Sequence, residues 1–253
     1  MKKIILLCSV ILFAVSLNNG FAQGDLRLNE KSNGEVAGGF IGYPSWILGI
    51  SLGSNLAVND AYGRISDLST YGMKSGRSVD INFKYGLGTR KKSRITVRAG
   101  YTKMINDDRD RFFLVAPVLM NPDPPHSFYD IITGAIGYEY VFGSPCCNKQ
   151  TLGIAFTFNN ISAPDYNSVR GKIDGAMRIG IELNAGYEFM LGKSGKTGLA
   201  LGFRYNQLNA FNSSNATGVN NYNLNDGDAA GGAGFSRKIG LFSVTLGLNL
   251  YGK

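Results

Sequence analysis

Histidine is almost missing from this chain: there is one in 253 residues, flanked by prolines, alongside three cysteines. That scarcity argues against a zinc or haem site built from several His or Cys ligands. Charge is also sparse, at 17% against the roughly 25% of ordinary soluble domains. With 44% hydrophobic residues, the chain lacks the low-hydrophobicity, high-charge signature of disorder. Beyond the N-terminal region no apolar run approaches the roughly 18 residues a membrane-spanning helix needs, so helical spans are excluded there. Glycine, by contrast, is abundant, with 34 residues.

The N-terminus has its own pattern. Met1-Lys2-Lys3 is short and basic, Ile4 to Leu17 is an apolar run of about fourteen residues, and Gly20 and Ala22 precede Gln23 with the small-x-small spacing of a cleavage site. Residues 1–22 therefore read as a secretory signal peptide. The competing reading, a membrane anchor, needs about 20 apolar residues. Residues 23–45 then form a periplasmic N-terminal segment, and 46–253 the folded body. Losing Lys2 and Lys3 takes the formal charge from +8 to +6, a balance that suits nucleic acid or an anionic membrane face. Export favours the membrane, so no nucleic-acid partner is expected. Cys146 and Cys147 are adjacent, where a mutual bond is strained. A turn with free or locally bonded thiols is the preferred reading over a metal or redox pair.

Strict alternation dominates the rest. Leu48, Ile50 and Leu52 follow Trp46 at every second position, and Val79, Ile81, Phe83 and Tyr85 do the same. The pattern recurs through Ile95 to Tyr101, Ile132 to Phe142, Leu152 to Phe158, Met177 to Phe189, Leu199 to Tyr205 and Phe242 to Leu250. Side chains along a strand point to opposite faces in turn, so each segment has one greasy face and one small or polar face. About eight strands result. Short connections fall at 90–93, 143–150 and 192–196; long polar ones fall near 58–77, 107–130, 161–176 and 210–239. Such alternation of loop length fits an up-and-down antiparallel barrel with both ends in the periplasm. Ten strands, adding 35–43 and 229–235, would reverse the usual placement of long and short loops.

Face content separates a membrane barrel from a soluble one. An eight-stranded interior is only just wide enough for side chains to fill. It would not hold Trp46, Phe83, Tyr85, Tyr101, Tyr138, Tyr140, Phe142, Phe156, Phe158 and their equivalents together. The Gly-, Ala-, Ser- and Thr-rich face fits such a lumen, which leaves the greasy face for lipid. Aromatics near strand ends (Trp46, Tyr85, Tyr138, Tyr140, Phe142, Tyr187, Phe189, Tyr251) match an interfacial girdle. The inward face then carries Lys84, Arg98, Arg178 and Arg204 against Asp80, Glu139, Glu182 and Glu188. Enclosed charges are costly unless paired, so a salt-bridged plug is expected. An ion or proton path along them is the alternative.

The signal peptide, alternating strands, short turns, long Asn/Gly/Asp-rich loops and closing stretch Phe242 to Tyr251 resemble the small outer-membrane β-barrels of Gram-negative bacteria, the OmpA transmembrane-domain, OmpX and porin-like group. The closing alternation is similar to the C-terminal assembly signal of those families, with Gly252 and Lys253 after it. The resemblance implies residence in the outer membrane, contact with its lipid and lipopolysaccharide, and insertion by the outer-membrane assembly machinery. It implies no activity.

Other motifs carry less. Gly195-Lys196-Thr197 lacks the first glycine of a phosphate loop, since position 190 is Met190, and it leads into a strand. His126 and Ser127 are neighbours, which on a strand face opposite ways, and Pro124-Pro125 argue for a loop. No catalytic residue, cofactor or metal ligand is assigned. Asp107-Asp108-Arg109-Asp110 and 221–228 read as solvated loop charge. The apolar stretch from Phe112, Phe113, Leu114 and Val115 to Met120 is a candidate contact patch in an outer loop, or an extension of the wall. The leading functional expectation is a structural or surface-interaction barrel; a narrow channel or transporter for small or apolar solutes is the second.

Overall fold

The computed structural model describes residues 43–63, 70–106, 128–143, 148–162, 165–166, 171–172, 175–191, 196–211 and 238–252. Ten strands occur there: β1 (Trp46–Asn59), β2 (Met73–Leu87), β3 (Ser93–Asn106), β4 (Phe128–Gly143), β5 (Lys149–Ser162), β6 (Asp165–Tyr166), β7 (Gly171–Lys172), β8 (Ala176–Leu191), β9 (Thr197–Gln207) and β10 (Ile239–Gly252). Eight of them close a barrel in the order β1-β10-β9-β8-β5-β4-β3-β2, and β6 and β7 form a small separate hairpin between β5 and β8. Every wall pairing is antiparallel between consecutive wall strands, with β1 and β10 closing the ring from Trp46↔Gly252 to Asn59↔Ile239. The meander expected from the sequence is the one observed.

Alternation sets which way each strand faces. Leu52, Ile81, Ile132, Ile136, Leu152, Phe156, Phe158, Leu183, Leu246 and Leu248 are all at least half exposed on the outer wall. Asp80, Glu139, Arg178, Glu182 and Glu188 are 4% exposed or less, inside. An exposed apolar belt of this extent around a closed ladder is intelligible only against hydrocarbon. Soluble monomers rarely expose contiguous apolar patches beyond a few hundred Å², and closure leaves no unpaired strand edge in lipid. Trp46, Tyr85, Tyr138, Tyr140, Phe142 and Phe189 ring the short-turn end, and Tyr187 packs beside Phe189 with ring centroids 4.4 Å apart.

Three expectations need correction. Tyr251 is not in the girdle: it is 4% exposed and faces inward, because its parity is opposite to that of Leu248 and Leu250. The turn placed at 143–150 is shorter, since the β4–β5 ladder continues to Gly143↔Lys149. The inward face is also not uniformly small and polar. Toward the long loops Tyr71, Met73, Met104, Tyr129, Ile131, Ile161, Leu208 and Ile239 form a fully enclosed apolar cluster. That layer lies inside the wall and above the charges.

Inward glycines make room for the polar side chains. Gly100 stands directly opposite Asp80 in the β2–β3 ladder, and a Cβ there would collide with Asp80 Oδ1. Gly49 sits between Asn82 and Asn249 in the same way. At the turns, Gly88 and Gly143 take positive φ values of 68° and 100°, which glycine adopts at little steric cost.

Candidate functional site

The lumen side chains form two charged tiers. In the tier nearer the short turns, Lys84 on β2 and Arg94 on β3 meet Glu139 on β4 and Glu188 on β8. Lys84 Nζ lies 2.9 Å from Glu139 Oε2 and 3.1 Å from Glu188 Oε1. Arg94 Nη1 lies 3.1 Å from Glu139 Oε1 and 3.0 Å from Glu188 Oε1. Each carboxylate therefore accepts from both cations, and the cluster is neutral as a whole. The β2–β8 contact crosses the barrel, so the tier ties opposite walls together.

In the second tier Asp80 accepts from two guanidinium groups, Arg98 Nη1 at 2.8 Å and Arg204 Nη2 at 2.5 Å. Arg98 also donates through Nη2 to Glu182. These four are again neutral in sum, and their side chains are at most 13% exposed. Seven of the eight lumen charges named from sequence thus fall into the two tiers. Arg178 is buried higher up, in register with Asn159 on β5, and has interactions of its own.

Two enclosed cations escaped the sequence reading. Arg94 is completely buried; it extends the inward parity of Thr96 and Arg98 by one step, at the strand end where the alternation had been cut. Lys149 is equally buried, and extends the parity of Thr151 and Gly153 into what looked like a turn. Its Nζ lies 5.2 Å from the Tyr251 ring centre and 5.6 Å from that of Tyr43, a cation–π arrangement. Tyr43, just before β1, donates its hydroxyl to the Gly143 carbonyl at 2.6 Å and narrows the short-turn mouth. Burial raises its phenol pKa above the usual value, with Arg94 opposing.

A cavity of about 110 Å³ lies among the tiers, bordered by Lys84, Arg98, Glu139, Glu182, Glu188 and Arg204 together with Asn82. Glu188 Oε2, Asn82 Oδ1 and Arg204 Nε have no protein partner. Polar, partly unsatisfied walls of this kind suit bound water. Toward the long loops the polar layer continues: Asn159 accepts from Thr133 at 2.9 Å and donates to Thr157 at 2.9 Å. The apolar cluster then closes over it. Among the described residues no group of three His, Cys, Asp or Glu is placed to hold a metal. The patch Phe112, Phe113, Leu114, Val115, the His126–Ser127 pair, Cys146, Cys147 and the signal peptide lie outside the described residues.

A closed antiparallel wall, apolar outside and ionic within, is now complete. The architecture is that of a small outer-membrane β-barrel. Solved structures to which the barrel is similar include the following. Neisserial surface protein A is 15% identical, with a TM-score of 0.49, and the match covers 82% of this chain and 97% of that one. OprG from Pseudomonas aeruginosa is 10% identical, with a TM-score of 0.46, covering 84% and 99%. Ail, the attachment invasion locus protein of Yersinia pestis, is 10% identical, with a TM-score of 0.38, covering 82% and 99%. No protein-family model matches the barrel's sequence, and no curated protein does.

Proposed function

We propose that the protein is exported with residues 1–22 as a signal peptide and inserted into the outer membrane, where it serves as a non-enzymatic structural or surface-interaction barrel. Its lumen is plugged, and its long loops meet the exterior. The observation that carries this reading is the stacking of two neutral ion tiers beneath an enclosed apolar layer. An ion crossing the barrel would have to displace bonded charges and then lose its hydration among Met73, Met104, Ile131 and Ile161. Both steps are costly in a low-dielectric interior. Planar-bilayer recording of the folded protein tests the reading: the expected trace has no reproducible large single-channel currents, and steady large currents would overturn the plug.

A further inference from the structure

The short-turn mouth holds a charge excess that the two tiers do not absorb. Among the described residues at that end the carboxylates are Glu139 and Glu188, and both are already shared between Lys84 and Arg94. Arg90, Lys91, Lys92, Lys149 and Lys196 add further cations there. Arg90 and Lys196 are exposed, and Lys91 and Lys92 are half-buried. Lys149 is enclosed against the rings of Tyr43 and Tyr251. A mouth lined by one sign of charge raises the local concentration of the opposite ion.

Arg94 supplies the directional group. It is fully buried, and both of its ion pairs run through Nη1. Among the described residues, neither its Nε nor its Nη2 has a hydrogen-bond partner. Those N–H groups form the side edge of the guanidinium, which matches two oxygens of one phosphate or carboxylate. Leaving buried donors unpaired is costly. Lys92 lies one inward step nearer the mouth than Arg94, about 7 Å along the chain.

Tyr43 covers this place. Ser45 is still held in the wall, donating to the Gly252 carbonyl at 2.9 Å and accepting from the Gly86 amide at 2.7 Å. From two residues earlier, the Tyr43 side chain reaches across to the Gly143 carbonyl, three strands round the ring from β1. Its ring centre lies 6.0 Å from Lys92 Nζ and 5.6 Å from Lys149 Nζ, and Arg94 is close enough to act on its phenol. A hydroxyl-to-carbonyl bond thus fastens a cover beside a donor edge left without a partner.

We infer that the short-turn mouth is a latched anion site, in which Tyr43 swings aside and the Nε–Nη2 edge of Arg94, with Lys92, takes the phosphate group of a small soluble solute. Phosphate is favoured over a carboxylate because its second charge meets the additional cations of the rim. The bound oxyanion supplies the partners that Arg94 lacks when the latch is closed. The site ends blind at the tiers, so it goes beyond the plug without opening it, and it does not depend on which end faces the exterior.

The test is isothermal titration calorimetry of the detergent-folded full barrel at low ionic strength. The probes are inorganic phosphate, phosphoserine, chloride, and phosphatidylglycerol in mixed micelles. Inorganic phosphate and phosphoserine are expected to bind, and chloride, which has no pair of oxygens for the edge, to bind about ten-fold or more weakly. Arg94→Lys keeps a cation for Glu139 and Glu188 but removes the edge, and should weaken phosphate about ten-fold or more. Lys92→Gln, which leaves every ion pair of the tiers in place, should weaken it severalfold. Tyr43→Phe removes the latch bond and should tighten phosphate about five-fold, because the open form is then more populated. Lys238→Gln, at the long-loop end, should bind as the native barrel does. Chloride binding equal to phosphate, phosphatidylglycerol binding in place of the soluble phosphates, or unchanged affinity in Arg94→Lys or Lys92→Gln overturns the site. Unchanged or weaker binding in Tyr43→Phe overturns the latch.

Discussion

Replacing Asp80 by alanine is the sharpest test of the ionic interior. The carboxylate is 2% exposed, and serves Arg98 at 2.8 Å and Arg204 at 2.5 Å. Attraction over 2.8 Å is roughly 6 kcal/mol at an effective dielectric near 20, offset by a desolvation cost of several kcal/mol for each ion. The pair energy is therefore not the quantity at stake. Removing the carboxylate breaks the ion pair of Arg204 and leaves Arg98 with Glu182. Breaking one side of a buried pair costs about 3–5 kcal/mol, and the unfolding free energy should fall by that amount. The chain has one tryptophan, and Trp46 faces outward in the belt, 38% exposed, so its fluorescence reports folding in vesicles during a urea titration. Combining Asp80→Ala with Arg204→Met should recover part of the loss, because the stranded cation goes too. An Asp80→Ala barrel within about 0.5 kcal/mol of the native one would mean that water already solvates both arginines, and the plug argument would fail with it.

The same assay reads two more changes. Gly100→Ala places a Cβ on Asp80 Oδ1, and overpacking of this kind typically costs about 1–3 kcal/mol; in an Asp80→Ala background the penalty should largely vanish, and a full penalty there would refute the collision. Phe156 lies midway along β5, 56% exposed to the belt between Ile136 and Ile181. Phe156→Lys is expected to cost about 2–4 kcal/mol in a bilayer, as cations do at the midplane of a barrel's lipid face, and a neutral outcome would remove Phe156 from the hydrocarbon.

Period-two alternation sufficed for the eight wall strands, the loop-length rhythm and the direction each face takes, though not for the short β6–β7 hairpin, because a one-residue change of parity would move every side chain of a strand to the other face. Asp80, Lys84, Arg98, Glu139, Glu182, Glu188 and Arg204 were legible as lumen groups for that reason. Arg94 and Lys149 obeyed the same parity but sat where the alternation fades into turns, and Tyr251 was read by its type when its parity pointed inward. Pairing was another matter. Lys84 and Glu188 are 104 residues apart, and Asp80 and Arg204 are 124 apart; nothing local relates them. Which cation reaches which carboxylate follows from the register of eight strands and from the closure of β1 on β10, since only closure sets the heights at which inward groups meet across the lumen. The apolar layer of Met73, Met104, Ile131 and Ile161 arises in the same way, from single residues on separate strands that become one cluster only when the ring is shut.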